Sequence, residues 1–347
     1  MKIIDLRSDT VTLPSDEMRE AACDAELGDD VFGEDPTVNC LQETAAQLMG
    51  KEAALFVSSG TMGNLVCMLT HCRRGEEVIL GDRAHMFLNE CGSIAMVGGI
   101  HPHTIPNQPD GTMRIEDIEA AIRGDNDHWP RTRAICLENT HNRCFGAPLT
   151  PEYMKSVAEL ARAKGLKVHL DGARIFNAAV ALGVDAKEFT SHVDSLSFCL
   201  SKGLAAPVGS VVCGSKEFIT EARRNRKVLG GGMRQAGIIA APGLVALDKM
   251  IARLEDDHAN ARHLAEGIAK IPGLSIDLSM VKTNIIYFDV VNDKVSVEHI
   301  RDGFEKGGIK VLPTGPDRFR MVTHYGIEAE DIDTTLTVLS KIMSQAG

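Results

Sequence analysis

Through the first two thirds of the chain, short apolar runs alternate with amphipathic stretches. AALFVSS (53–59), EVILGD (77–82), RAICLEN (133–139), KVHLD (167–171), SLSFCLS (195–201) and GSVVCGS (209–215) are apolar on successive residues. That pattern predicts strands buried on both faces. Between them, MRIEDIEAAIR (113–123) and TPEYMKSVAELARAKG (150–165) carry helical spacing, the second closing on Gly165. Strands alternating with helices in this order define an α/β chain with a mainly parallel sheet.

From Pro242 the pattern changes. Residues 243–271 read as one long helix that stops at Pro272-Gly273. Beyond it, LSIDL (274–278), NIIYFDV (284–290), KVLP (310–313) and RFRMVTH (318–324) read as shorter strands. The helices SVEHIRDGFEKGG (296–308) and DIDTTLTVLSKIMS (331–344) are interleaved with them. The division predicted is a large domain over 1–250 and a small α+β domain over 251–347.

Composition narrows the function. With 347 residues, 44% hydrophobic and 24% charged, the chain is of ordinary globular make-up. A net charge of -11 opposes binding to nucleic acid or to anionic lipid, and a small-molecule partner is expected instead. Nine cysteines include no C-x-x-C pair, which points to reduced thiols and a cytoplasmic address rather than a disulfide framework or a zinc site. Asp5, Arg7 and Asp9 interrupt the apolar stretch that a signal peptide needs, and no span is long enough to cross a membrane.

Candidate chemistry begins at Lys202, a lone charge at the end of LSFCLS. A lysine so placed loses hydration, which favours the neutral amine that can attack a carbonyl; the same position also suits a solvated turn lysine. Asp171 closes a second predicted strand, and it could equally cap the helix that follows. In open α/β sheets chemistry gathers at the carboxyl ends of strands, so a lysine and a carboxylate there could serve pyridoxal phosphate, whose aldehyde needs an amine and whose ring nitrogen needs an anion. SSGTMGN places Gly60 and Thr61 at the start of a predicted helix, where backbone N–H groups bind a phosphate, and Ser201 could add a hydroxyl. His85, after the strand EVILGD, could cover the ring and exchange protons near neutral pH.

These stretches, with LRSDTVTLPS, GDDVFGEDPTVN, GDRAHMF, LENTHN, HLDGARIFNAA, LSKGLAAPVGS, RKVLGGGMRQAG and RMVTH, run almost the whole chain. It resembles the low-specificity L-threonine aldolases, pyridoxal-phosphate enzymes of the fold-type I, aminotransferase-like class. The resemblance implies cleavage of L-threonine or L-allo-threonine to glycine and an aldehyde. It implies that Lys202 holds the cofactor covalently, that Asp171 pairs with its ring nitrogen and that Gly60, Thr61 and Ser201 hold its phosphate. His85 would stack on the ring and handle the β-hydroxyl proton, while His141 would orient that hydroxyl. Ser8, Arg174 and Arg320 would grip the substrate carboxylate. Lys227 and Arg234 would reach the cofactor phosphate of a neighbouring subunit, within a homotetramer of two catalytic dimers. No metal ligands are expected.

Two positions depart from the family pattern. Phe32 stands where a tyrosine is common. After LENTHN the family often has a pair of glycines, whereas this chain runs Arg143, Cys144, Phe145 and a single Gly146, which alters the pocket near His141. Another reaction on the same scaffold, transamination or β-elimination, uses the same residue types. A nicotinamide oxidoreductase would need G-x-G-x-x-G, which is absent.

Overall fold

The computed structural model describes residues 2–345. Its strands, in chain order, are β1 (Ile4–Asp5), β2 (Ala53–Val57), β3 (Glu77–Gly81), β4 (His101–Ile105), β5 (Thr132–Glu138), β6 (Lys167–Asp171), β7 (Ser195–Cys199) and β8 (Ser210–Gly214). They continue with β9 (Leu274–Ser275), β10 (Ile285–Val290), β11 (Ile309–Lys310), β12 (Leu312–Pro313) and β13 (Arg318–Val322). β2 to β8 form a seven-stranded sheet in the order β2-β8-β7-β6-β5-β3-β4. Only β8 runs against its neighbours; the remaining pairs are parallel.

The unbroken apolar runs follow from burial of this sheet on both sides. Ile135 and Leu137 of β5 enter one core with Leu170, Leu196 and Phe198. Ala134 and Cys136, on the opposite face of the same strand, enter another with Val78, Leu80 and Val212. A strand with two buried faces cannot alternate polar and apolar residues.

A four-stranded antiparallel sheet, β12-β13-β10-β9, carries the small domain. β1 pairs with β11, and Ile4 and Leu6 pack in the small-domain core beside Ile286, Phe288 and Phe319. The N-terminus therefore crosses the division drawn near residue 250. The predicted long helix is interrupted: helix Gly237–Val245 gives way to a wider π turn at Ala246–Met250, and helix Leu254–Ile268 restarts beyond it.

Candidate active site

β6 and β7 are parallel neighbours, with Asp171 registered against Ser197. Their carboxyl ends therefore open to the same side of the sheet, carrying Asp171 on one and Ser201-Lys202 just past the other. Lys202 lines a cleft of about 620 Å³ between the sheet and the small domain. Its side chain is half-buried, and Nζ has no hydrogen-bond partner among the described residues.

The helix Gly60–His71 follows β2 and starts beside the end of β7. A Cβ added at Gly60 would lie 3.0 Å from Cys199 Sγ, close enough that the sulfur would have to shift by a few tenths of an ångström, so this turn packs tightly on the end of β7. Ser59 caps the helix through Met62 N, leaving the Gly60 and Thr61 N–H groups without an internal acceptor. Free amides at a helix N-terminus, packed against Cys199 two residues before Ser201, are suited to a phosphate.

Asp171 is buried. Its Oδ1 accepts from Ala173 N at 3.1 Å and its Oδ2 from Asn64 Nδ2 at 3.0 Å. The same Asn64 amide donates to Glu90 Oε1 at 2.9 Å, and its Oδ1 accepts from Ser197 Oγ at 2.6 Å. His169 Nε2 lies 3.2 Å from that oxygen; burial drives the imidazole down to about 3, so it is neutral and donates there. One amide thus spaces two buried carboxylates.

His85 sits at the cleft wall, with Nδ1 2.8 Å from Glu90 Oε1. The hydrogen bond to Glu90 raises the His85 pKa, against the opposing effect of burial. Burial in turn raises that of Glu90, with the Asp171 charge adding to the rise and the His85 bond opposing it. Polar atoms of His85, Glu90 and Asp171 all lie within 4.8 Å of one another. The loop that carries His85 is fixed from three directions. Arg83 N donates to Asn107 Oδ1, Asn107 N donates to Asp82 Oδ1, and His85 N donates to Glu138 Oε2.

The cleft is also lined by Ser8, Arg174 and Arg320. Arg174 gives Nε and Nη2 to the two oxygens of Asp9, at 2.6 and 2.7 Å, so one edge of its fork is held and Nη1 is left. Burial would raise the Asp9 carboxyl, but Arg174, with Lys202 and Arg320 beyond it, holds it far below the usual range. Arg320 donates to Arg7 O and Asn142 Oδ1, and its Nε has no partner among the described residues. Burial lowers the Arg320 pKa, and the nearby Arg174 charge adds to this. Two close buried guanidiniums with unused donors are a site for a carboxylate.

Lys202, His85, Ser8, Arg174 and Arg320 thus line one cleft, and Asp171 meets it through the His85 cluster. His141 does not line it. That ring is 1% exposed, with neither nitrogen hydrogen-bonded and Nε2 3.8 Å from Glu138 Oε2; the neighbouring Asn142 faces the cleft instead. Lys227 and Arg234 also lie elsewhere. Lys227 lines a separate basic hollow with Arg223 and Arg226, and Arg234 pairs with Asp29 at 2.9 Å. Sequence reasoning passed over Glu90, Asn64 and Asp9, whose partners lie on other elements.

The mainly parallel sheet, with this lysine and carboxylate at its strand ends and the helix terminus beside them, places the chain in the fold-type I, aminotransferase-like class. Residues 5–291 match the family described as Beta-eliminating lyase. A threonine aldolase of Leishmania major superposes with a TM-score of 0.85 at 19% identity, over 98% of this chain and 99% of that one. Much nearer in sequence is "Low-specificity L-threonine aldolase 1" of Arabidopsis thaliana, 48% identical over 99% of this chain and 97% of the relative. "Low specificity L-threonine aldolase" of Escherichia coli (strain K12) is 45% identical over 95% and 96%. The chain belongs to the low-specificity L-threonine aldolase family.

Proposed function

We propose that the chain cleaves L-threonine and L-allo-threonine to glycine and acetaldehyde with pyridoxal phosphate. The observation that carries this reading is the unpartnered Lys202 amine in one cleft with the Asp171–Asn64–Glu90–His85 cluster and two buried arginines. The donor set fits the cofactor: an amine for the aldehyde, Asp171 for the ring nitrogen, and Gly60 N, Thr61 N and Ser201 Oγ for the phosphate. When bound, pyridoxal phosphate supplies a sink for the electron pair of the breaking Cα–Cβ bond.

The remaining work belongs to the chain. Arg174 and Arg320, with Ser8, bind the substrate carboxylate and turn the Cα–Cβ bond into the breaking orientation. Glu90 takes the Nδ1 proton side of His85, so Nε2 is directed to the cleft as a base. His85 Nε2 accepts the β-hydroxyl proton as the Cβ–O bond becomes a carbonyl, and Cα gains a proton to give glycine. Glu138, which holds His85 N and Asn142 N, fixes the two loops on either side of the reacting hydroxyl. His141, buried behind the cleft one residue before Asn142, supports that loop rather than touching the hydroxyl.

The same reading includes a homotetramer of catalytic dimers, in which Lys227 and Arg234 serve a neighbour's phosphate. Exposed Phe32 and Val228 near these residues support a covered face there, at 74% and 81% exposure. The nine unpaired cysteines suit a cytoplasmic protein, and among the described residues no helix is long and apolar enough to cross a membrane.

Reconstitution tests the cofactor assignment. Protein incubated with pyridoxal phosphate and reduced with borohydride is expected to carry one pyridoxyl group on Lys202 by peptide mass spectrometry. Labelling of a different lysine, or none, would overturn it.

A further inference from the structure

Six cationic side chains line the Lys202 cleft, namely Arg83, Arg143, Arg174, Lys202, Arg318 and Arg320, and among the described residues no carboxylate lines it. In a chain of net charge -11 this is a concentrated positive site. Four of the six have an employment. Arg174 is held by Asp9 and Arg318 by Asp289, bidentately at 2.5 and 2.8 Å, while Lys202 and Arg320 belong to the reaction proposed above.

Arg83 and Arg143 have none. Neither forms an ion pair among the described residues, and the one side-chain hydrogen bond of Arg143 is a long one to Asn89 Oδ1, at 3.4 Å. That contact ties the loop after β5 to the loop bearing His85. Arg83 lines the same cleft as Arg143 and Asn142 of the β5 loop. Arg83 also lines a second cavity, of about 400 Å³, that adjoins the cleft at Arg83, Tyr287 and Arg318 and has Phe145 in its wall. Arg143 and Phe145 both fall in the segment where the chain leaves the family's glycine pair.

We propose that Arg83 and Arg143 form a distal carboxylate subsite, so that the enzyme takes β-hydroxy-α-amino acids whose β-substituent ends in a second carboxylate. This rests on the aldolase reading. With the α-carboxylate at Arg174 and Arg320 and the hydroxyl at His85, the remaining Cβ substituent runs along the His85 loop. Arg83 lies two residues before His85, and Asn89, the contact of Arg143, lies four after it. A methyl group uses neither arginine, whereas a carboxylate pairs with a guanidinium fork. For 3-hydroxyglutamate the Cα–Cβ bond breaks, the hydroxyl proton leaves as its oxygen becomes the aldehyde, and Cα gains a proton. The products are glycine and 3-oxopropanoate, with no further reactant.

The test compares kcat/KM for 3-hydroxyglutamate with that for 3-hydroxyglutamine of the same configuration, on the reconstituted enzyme and its R83Q, R143Q and double variants. The expected acid-to-amide ratio is about tenfold or more in the wild type and near one in the double variant, with threonine turnover within about twofold. Because the ratio compares two substrates on one protein, lost stability cancels from it. A wild-type ratio near one, or a preference that survives both substitutions, would overturn the subsite. Absence of threonine cleavage in the wild type would instead remove the aldolase reading on which it rests.

Discussion

His85 and Glu90 are five residues apart and share a hydrogen bond, and Asp171, reached through Asn64, adds its charge to both. Both pKa values are raised, that of His85 chiefly by its hydrogen bond to Glu90 and that of Glu90 chiefly by burial. If neutral His85 accepts the hydroxyl proton, kcat/KM rises with pH through its pKa, and Glu90 places that rise at higher pH than an isolated imidazole would. Glu90→Gln removes the negative partner, so the acid limb is expected to move to lower pH in a pH–rate profile. An unmoved limb would show that His85 is not the group being titrated. His85→Phe keeps a ring over the cofactor but no base, and a loss of about 10²–10⁴ in kcat is expected with cofactor absorbance retained. Turnover within a few-fold of wild type would reassign the base.

At the level of elements, β3 and its following loop position His85 through a tight contact. A Cβ added at Gly81 would sit 2.0 Å from Asn107 Oδ1, the atom that receives Arg83 N. Gly81→Ala is expected to displace Asn107 and weaken cofactor retention, measured as absorbance lost on dialysis, while Gly75→Ala, in an open turn, serves as the strained-backbone control. Most strands were legible within a residue or two because burial on both faces leaves an unbroken apolar run. β4 was not, because HPHTI is half polar and holds Pro102; it lies at the sheet edge, where a missing N–H is tolerated. The break at 246–253 was hidden because apolar spacing continues through a widened turn. Lys202, Asp171 and Arg174 could be read from strand ends and motif. Asn64 and Asp9 could not, since their contacts join residues 107 and 165 apart, and polarity alone says nothing of such pairing.

For the molecule as a whole, the N-terminal segment ties the small domain to the cleft. Ile4 and Leu6 anchor it in the small-domain core, and three residues later Asp9 grips Arg174 in the large domain. Leu6→Ala is expected to cost about 2–5 kcal/mol in denaturant unfolding, as for other fully buried leucines. Asp9→Asn leaves Arg174 buried and half-paired, and about 3–5 kcal/mol is the scale for breaking such a pair. The Asp9 carboxyl is depressed in the folded chain, so its contribution is complete above the unfolded value near 4 and is lost as pH falls below it. The difference between wild type and Asp9→Asn is therefore expected to be full at neutral pH and to shrink in acid. A difference independent of pH would contradict the ion pair as its source.

The most direct test of the central claim is product analysis with L-threonine and the reconstituted protein. Glycine and acetaldehyde in equal amounts, with none formed by Lys202→Ala, is the predicted result. Accumulation of 2-oxobutyrate and ammonia, the products of β-elimination, would contradict it and assign the cleft to the other chemistry this scaffold supports.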